Sequence, residues 1–308
     1  MPLAGIAFVF PGQGSQAVGM AVDLCDAVAA ARELFAEADD ALGFPLSQII
    51  RNGPEAELRR TAVTQPAILL ASIAVYRALD LVPAAVAGHS LGEYSALVAA
   101  GALAFRDALV LVHKRGRYMQ ETVAEGHGLM LALIGTEPAA IADAIAADGG
   151  EVDIANYNAP GQVVIAGERE ATRRVAARSG ARQAIELAVS APFHSRLMRP
   201  AEERLRADLA ATRFSDPQLA VYTNVDACKI TTADAARDGL ARQVSRAVRW
   251  TELIARMIAD EPIRTIVEVG PGTVLSGMIR RIDRSVERLT ASDAASAAVV
   301  RARLAAQA

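Results

Sequence analysis

The chain has 308 residues, 52% of them hydrophobic and 4% aromatic, which is enough for one large domain or two ordinary ones with an aliphatic core. A net charge of −3 and few aromatic rings argue against nucleic-acid binding. Lys114 and Lys229 are the only lysines, and Cys25 and Cys228 lack metal-site or redox spacing, which argues against lysine, thiol or zinc chemistry. With no signal-peptide pattern and no apolar run of membrane-spanning length, we expect a soluble, cytoplasmic protein without metal or cofactor.

Short aliphatic runs that end in glycine, proline or asparagine alternate with longer helical patterns, which is typical of an α/β protein. The runs predicted as buried strands are 5–10, 84–88, 219–225 and 265–269. The segments predicted as helices are 17–40, 66–80, 91–103, 104–122, 195–212 and 250–260.

The middle of the chain has a different order of elements. Strands are predicted at 128–134, 151–156, 162–166 and 182–189, with helices at 137–147 and 168–179. This β-α-β-β-α-β order is the ferredoxin-like pattern. We therefore predict a small domain, 125–198, inserted into a larger α/β domain formed by 1–124 and 199–308.

The strongest chemical signal is Gly88-His89-Ser90-Leu91-Gly92, which lies between a predicted strand and a predicted helix. In this context G-x-S-x-G forms a sharp turn that exposes the serine hydroxyl, and the backbone N–H of Leu91 can donate to an oxyanion. Ser90 is the predicted nucleophile, the alternative being a purely structural turn.

A serine nucleophile needs a base, and the chain has only four histidines. His194 lies where the predicted small domain returns to the large one, a position suited to a cleft, so it is the favoured general base over a role in helix capping. No carboxylate is obviously placed as a triad acid between Ser90 and His194. A backbone carbonyl can orient the imidazole instead, and the missing acid weakens an ordinary serine-hydrolase interpretation.

Arg115 is distinguished by its helical phase. At 100° per residue it falls in the middle of the apolar stripe of helix 104–122, whereas Lys114 and Arg117 point elsewhere. A buried guanidinium needs a partner, and its planar fork suits a carboxylate. The alternatives are an internal ion pair or a snorkelling side chain; the sharper hypothesis is that Arg115 binds an acidic substrate.

The N-terminal Gly12-Gln13-Gly14-Ser15-Gln16-Ala17 also fits a dinucleotide-binding fingerprint. That fingerprint requires a second strand ending in an acidic residue about 20 residues later, whereas 21–40 is predicted as continuous helix. We favour a loop that presents backbone N–H groups, including that of Gln13, beside the serine turn.

Seven segments carry a resemblance that covers nearly the whole chain. They are FVFPGQGSQAVGM (8–20), TQPAILLAS (64–72), GHSLGEYSALVAAGAL (88–103), RGRYMQE (115–121), NYNAPGQVVIAG (156–167), APFHSRLM (191–198) and EVGPGTVLSGMI (268–279). In this order they resemble the malonyl-CoA:acyl carrier protein transacylases of fatty acid synthesis. The resemblance implies an α/β-hydrolase-like large domain with an inserted ferredoxin-like domain, and transfer of malonyl from coenzyme A to the carrier's phosphopantetheine thiol.

The resemblance also implies site roles at matching positions. By this resemblance Ser90 is the nucleophile, His194 its base and Arg115 the ligand of the malonyl carboxylate. The backbone amides of Gln13 and Leu91 are the oxyanion donors. Gln65 lines the site, and the backbone carbonyl of Gln243 orients the histidine. Phe193 is expected to fill the space of an α-methyl group and so to favour malonyl over methylmalonyl. Arg249 departs from the neutral polar residue expected there.

Other functions stay open. Within the family they are the transacylase of malonate decarboxylase and a free-standing polyketide acyltransferase; outside it they are a serine esterase or thioesterase and a non-catalytic binding scaffold. We expect a monomer whose carrier partner is acidic. Candidate docking residues, each also explicable as a solvated helix face, are Arg169, Arg173, Arg174, Arg178, Arg196 and Arg199.

Overall fold

The computed structural model describes residues 2–189 and 191–306, which form ten strands and fourteen α-helices. The strands are β1 (Leu3–Phe10), β2 (Pro83–Gly88), β3 (Gly128–Ile134), β4 (Val152–Ala159), β5 (Gln162–Glu168), β6 (Gln183–Glu186), β7 (Ala220–Tyr222), β8 (Lys229–Ile230), β9 (Thr265–Val269) and β10 (Glu287–Ala291). The helices are α1 (Val22–Ala27), α2 (Ala29–Leu42), α3 (Leu46–Asn52), α4 (Glu55–Leu58), α5 (Thr61–Leu79), α6 (Gly92–Ala99), α7 (Phe105–Thr122), α8 (Pro138–Asp148), α9 (Arg169–Arg178), α10 (Arg199–Ala211), α11 (Ala233–Gln243), α12 (Trp250–Asp260), α13 (Val274–Ile282) and α14 (Ala294–Ala305).

Six strands form the larger sheet in the order β10-β9-β1-β2-β7-β8. All neighbours pair in parallel except β7 and β8. Successive side chains of β1 enter opposite layers: Phe8 and Phe10 join the main core, and Ala7 and Val9 pack with Trp250. Burial on both faces explains why β1 is a continuous apolar run.

The smaller sheet has the order β4-β5-β3-β6, and each pair is antiparallel. One face, with Leu131 and Ile165, forms its own core with α8 and α9. The other face, with Met130 and Val164, belongs to the main core and looks towards the larger sheet. The predicted alternation of elements from 128 to 189 is therefore present, although the final strand is shorter than predicted and Ser190 lies outside the described residues.

Four predicted helices differ from the structure. Segment 91–103 is helical only over α6, and 195–212 opens with a 3₁₀ turn at Arg196–Met198 before α10 begins. Segment 17–40 is not continuous: left-handed backbone at Gly19 and Ala21 delays the first helix until Val22, and extended backbone at Val28 separates α1 from α2. Helix α5 begins five residues earlier than predicted and runs through Pro66. Proline cannot donate to the carbonyl of Ala62, but the ring of His113 bonds that oxygen at 2.9 Å, which lets the helix continue.

Helix α5 is also long and apolar enough to cross a membrane by length and composition. In the structure 83% of its apolar window is buried against other parts of the protein, which is the environment of a core helix.

Candidate active site

The serine turn joins β2 to α6 at the carboxyl edge of the larger sheet. Ser90 adopts a φ of +52°, a left-handed conformation that is strained for a residue with a side chain. A Cβ at Gly88 would lie 1.8 Å from the carbonyl carbon of Gly92, and a Cβ at Gly92 would lie 2.1 Å from the oxygen of Phe10. Both glycines are therefore required by close backbone packing, as the G-x-S-x-G pattern predicts.

His194 lies within hydrogen-bond reach of the serine. The Ser90 Oγ to His194 Nε2 distance is 2.7 Å, and His194 Nδ1 lies 2.7 Å from the backbone oxygen of Gln243. Because a carbonyl only accepts, Nδ1 carries the proton and Nε2 is free to accept the serine's. Burial, followed by the positive charge of Arg115, lowers the pKa of His194 to about 3, so the imidazole is neutral at pH 7.

Arg115 is buried, with 2% of its surface exposed, which rules out snorkelling. Its Nη1 donates to Gln65 Oε1 at 2.8 Å, and its Nη2 donates to Gln243 Oε1 at 3.0 Å and to Ser90 Oγ at 3.2 Å. Its Nε has no partner, and no ion pair within the described residues includes it. The internal ion-pair alternative is therefore wrong for the described chain. Burial lowers the pKa of this guanidinium from its ordinary value.

The loop after β1 lies directly against the serine turn. A Cβ at Gly12 would be 2.6 Å from the oxygen of His89, so only glycine permits this approach. Gln13 follows, and its Nε2 donates to Thr61 Oγ1 at 3.4 Å. Within 2–189 and 191–306, the backbone N–H groups of Gln13 and Leu91 donate to no other residue, so both are available to a bound oxyanion.

A cavity of about 280 Å³ opens onto Ser90 and His194. Its walls come from the loop after β1, the start of α13 and the face of the smaller sheet that carries Met130 and Val164. The cavity therefore lies between the carboxyl edge of the larger sheet and this face of the smaller sheet. Phe193 lines it next to His194. This is where a small acyl group could contact the serine, the histidine and the Gln13 loop together.

Sequence reasoning missed Asn224, which follows β7. Its Oδ1 accepts from the Ser90 amide at 2.7 Å, and its Nδ2 donates to the Gly88 oxygen at 2.7 Å, so it clamps the turn from across the sheet. A polar residue at the carboxyl end of a parallel strand is a recognised signal for a site residue. The buried Glu93 was also missed. Its carboxylate accepts a hydrogen bond from the backbone N–H of Asn224 at 2.9 Å.

The other histidines have different contacts. His89 also lines the cavity, but its Nε2 lies 2.9 Å from Asn158 Oδ1 and its ring packs edge-on against Trp250. His113 supports α5, and His127 is exposed in the loop before β3. Arg249, the departure from the expected pattern, pairs with Glu252.

Five of the six candidate docking arginines are paired with acids. Arg169 contacts Glu186, Arg173 contacts Glu170, Arg174 and Arg178 share Asp148, and Arg196 contacts Asp153. Ion pairs within the chain account for these five side chains, and Arg199 alone of the set has no ion pair to a described residue.

The dinucleotide fingerprint is not followed by the strand it requires. Helices α1 and α2 occupy this part of the chain, and the strand after β1 is β2, which ends at the serine turn. Within the described residues, no group of three or more His, Cys, Asp or Glu side chains could hold a metal ion.

Comparison with known proteins identifies relatives along the whole chain. Residues 7–307 match the acyl transferase domain family. The malonyl CoA-acyl carrier protein transacylase of Escherichia coli K12 is 48% identical over 93% of this chain and 94% of the relative, and that of Bacillus subtilis is 44% identical over 94% of each.

Solved structures agree. An acyl carrier protein S-malonyltransferase from Vibrio cholerae superposes with a TM-score of 0.93 at 45% identity, covering 96% of this chain and all of that one. A malonyl-transacylase solved in complex with a type II polyketide acyl-carrier protein superposes with a TM-score of 0.94 at 43% identity, covering 97% of this chain and all of that one. The chain therefore belongs to the acyl transferase family, among its malonyl CoA-acyl carrier protein transacylases.

Proposed function

We propose that this chain moves the malonyl group from malonyl-CoA to the phosphopantetheine thiol of an acyl carrier protein, through a malonyl ester of Ser90. The observation that carries the proposal is the hydrogen-bonded Ser90–His194 pair beside a buried Arg115 that forms no ion pair with a carboxylate of the described residues. The first two residues supply a nucleophile and its base, and the third supplies a ligand for a substrate acid. The names of the relatives supply the substrate and the carrier.

In the first half-reaction, His194 Nε2 takes the proton of Ser90 as Oγ bonds to the thioester carbonyl carbon. The backbone amides of Gln13 and Leu91 stabilise the oxyanion. When the intermediate collapses, the carbon–sulfur bond breaks, and the coenzyme A sulfur leaves with the proton from His194. The malonyl ester of Ser90 remains, and the histidine is neutral again.

In the second half-reaction, His194 takes the proton of the carrier thiol, whose sulfur attacks the ester carbonyl. The carbon–oxygen bond to Ser90 then breaks, and His194 returns the proton to the serine oxygen. The imidazole needs no carboxylate for this cycle, because the carbonyl of Gln243 fixes the Nδ1 proton.

Selection of the malonyl group rests on Arg115. Its guanidinium already contacts Ser90 Oγ, so a carboxylate held by it lies one short acyl chain from the nucleophile. Gln65 supports the site indirectly, because its side-chain oxygen accepts a hydrogen bond from Nη1 of the guanidinium. This arrangement favours transfer of an acidic acyl group over the activity of a general serine esterase or thioesterase.

The two sheets support a finer description of the fold. The larger, mainly parallel sheet with the serine turn at its carboxyl edge is α/β-hydrolase-like, and the antiparallel sheet with α8 and α9 on one face is ferredoxin-like. We assign 1–124 and 199–308 to the catalytic domain and 125–198 to the small domain.

We further propose that the protein is a soluble, cytoplasmic monomer that uses no metal or cofactor and binds neither nucleic acid nor membranes. Fatty acid synthesis is the pathway we assign. The polyketide alternative is favoured by one specific observation, the 43% identity to a transacylase solved with a type II polyketide carrier. Comparing the rates of malonyl transfer to a fatty acid carrier protein and to a polyketide carrier protein distinguishes the two pathways.

The function is tested by supplying malonyl-CoA with and without a holo-carrier protein. Malonyl-carrier should form at a rate well above the release of free malonate, and neither should form with Ser90→Ala. Steady release of malonate at the same rate with or without the carrier would show a hydrolase instead.

A further inference from the structure

Glu93 is a buried carboxylate for which the mechanism above has no use. It lies in the first turn of α6, three residues after Ser90, and is 1% exposed. Its hydrogen-bonded oxygen contacts Asn224 and Gln243 rather than the side chains of Ser90 and His194, which bond to each other. A buried carboxylate is costly, which makes its contacts informative.

Its Oε2 accepts two hydrogen bonds, from the backbone N–H of Asn224 at 2.9 Å and from Gln243 Nε2 at 3.0 Å. Asn224 holds the Ser90 amide and the Gly88 carbonyl, as described above. Gln243 accepts from His194 through its backbone oxygen and from Arg115 through its side-chain oxygen. One oxygen of Glu93 thus touches both residues that hold the nucleophile, the base and the arginine.

The contact between Glu93 and Gln243 also contributes to the orientation of the Gln243 side-chain amide. Nε2 faces three acceptors, namely Glu93 Oε2, the Ser90 carbonyl at 2.9 Å and Asn224 Oδ1 at 3.2 Å. The amide oxygen is thereby directed at Arg115. A flipped amide would place NH₂ against the guanidinium and lose that bond.

We propose that Glu93 is a positioning residue for acyl transfer: by accepting from Gln243 and Asn224 it fixes the amide that orients Arg115 and the clamp that holds the Ser90 turn. This inference rests on the proposed function. It assigns Glu93 a role in malonyl selection although it contacts neither substrate nor nucleophile side chain.

The second oxygen explains which substitution should preserve the role. Glu93 Oε1 has no hydrogen-bond partner in the part of the chain that the structure describes, and it would lie 3.8 Å from a Cβ at Gly239. A glutamine with its carbonyl in the place of Oε2 keeps both accepted bonds and puts its NH₂ where Oε1 was. Burial raises the pKa of Glu93 to about 7, the direction in which a neutral glutamine is accommodated more readily than a charged carboxylate.

The test measures kcat and KM for malonyl-CoA and acetyl-CoA in Glu93→Gln, Glu93→Ala and the control Ser95→Ala. Ser95 lies on the same helix, and its buried hydroxyl has no hydrogen-bond partner among the described residues, so its removal should change little. Glu93→Gln should stay within about threefold of wild type. Glu93→Ala should lose at least about tenfold of its malonyl-over-acetyl preference, the effect of one lost hydrogen bond.

A folded Glu93→Ala protein with wild-type malonyl preference would overturn the proposal, as would an equal loss for both thioesters. If Glu93→Ala does not fold, Glu93→Asp replaces it, because it keeps the charge but withdraws the carboxylate from Gln243; wild-type preference in that variant would overturn the proposal. Failure of wild-type Ser90 to acquire malonyl would instead refute the function on which this inference rests.

Discussion

Arg115→Ala is expected to lower kcat/KM for malonyl-CoA far more than it lowers kcat/KM for acetyl-CoA. The guanidinium can offer a substrate carboxylate two charge-assisted hydrogen bonds, each worth about 1.5–3 kcal/mol. Taking the lower value for each gives about 3 kcal/mol, or roughly 150-fold in kcat/KM for malonyl-CoA. Acetyl-CoA has no carboxylate, so its kcat/KM should change by less than about tenfold, because only one of the three hydrogen bonds that Arg115 makes, that to Ser90 Oγ, reaches a reacting atom.

The assay compares kcat/KM for the two thioesters in wild type, Arg115→Ala and the control Arg117→Ala. Arg117 lies two residues away on α7 with half of its side chain exposed and pairs with Glu121, so its loss should leave both values near wild type. An Arg115→Ala protein that is folded and keeps the wild-type ratio of malonyl to acetyl would refute the assignment of Arg115 as the carboxylate ligand.

Three further predictions follow from the site. Phe193→Ala should raise turnover of methylmalonyl-CoA relative to malonyl-CoA, and an unchanged ratio would show that Phe193 does not fill the α-methyl space. Gly92→Ala should lower the thermal unfolding midpoint sharply, since its Cβ would lie 2.1 Å from the Phe10 oxygen, whereas Gly277→Ala, with nothing within 4 Å, should not. The pKa of His194 is about 3 in the folded protein and 6.5 at its ordinary value. Between these two pH values the unfolded chain binds a proton at His194 that the folded protein does not. The free energy of unfolding should therefore decrease as the pH falls from 6.5 towards 3. The pH dependence of the unfolding free energy should therefore be shallower in His194→Asn, and an identical slope would contradict the shift.

The parts of the site that were predictable follow local rules. The serine turn is defined by two glycines whose close packing is visible in the sequence pattern, and the burial of Arg115 follows from helical phase on α7. His194 was found from its place between the two predicted domains, and the structure brings it to 2.7 Å from Ser90 Oγ. The catalytic roles themselves stay predictions.

The parts that were missed depend on contacts between distant segments. Asn224 reaches the Ser90 amide from 134 positions along the chain, and Gln243 reaches Glu93 from 150 positions. Pro66 indicated a late start for α5, because the compensating hydrogen bond from His113 comes from another helix. Strands β8 and β10 were not predicted, because β8 has only two residues and β10 lacks the apolar run by which the other eight described strands were recognised.

The central claim is that Ser90 carries the malonyl group between donor and carrier. The most direct measurement is the intact mass of the protein after brief exposure to malonyl-CoA, followed by peptide mapping of the modified residue. We predict a gain of one malonyl group on Ser90 that disappears when holo-carrier protein is added and never forms in Ser90→Ala. A protein that transfers malonyl to the carrier without any adduct on Ser90, or with the adduct at another residue, would contradict the account.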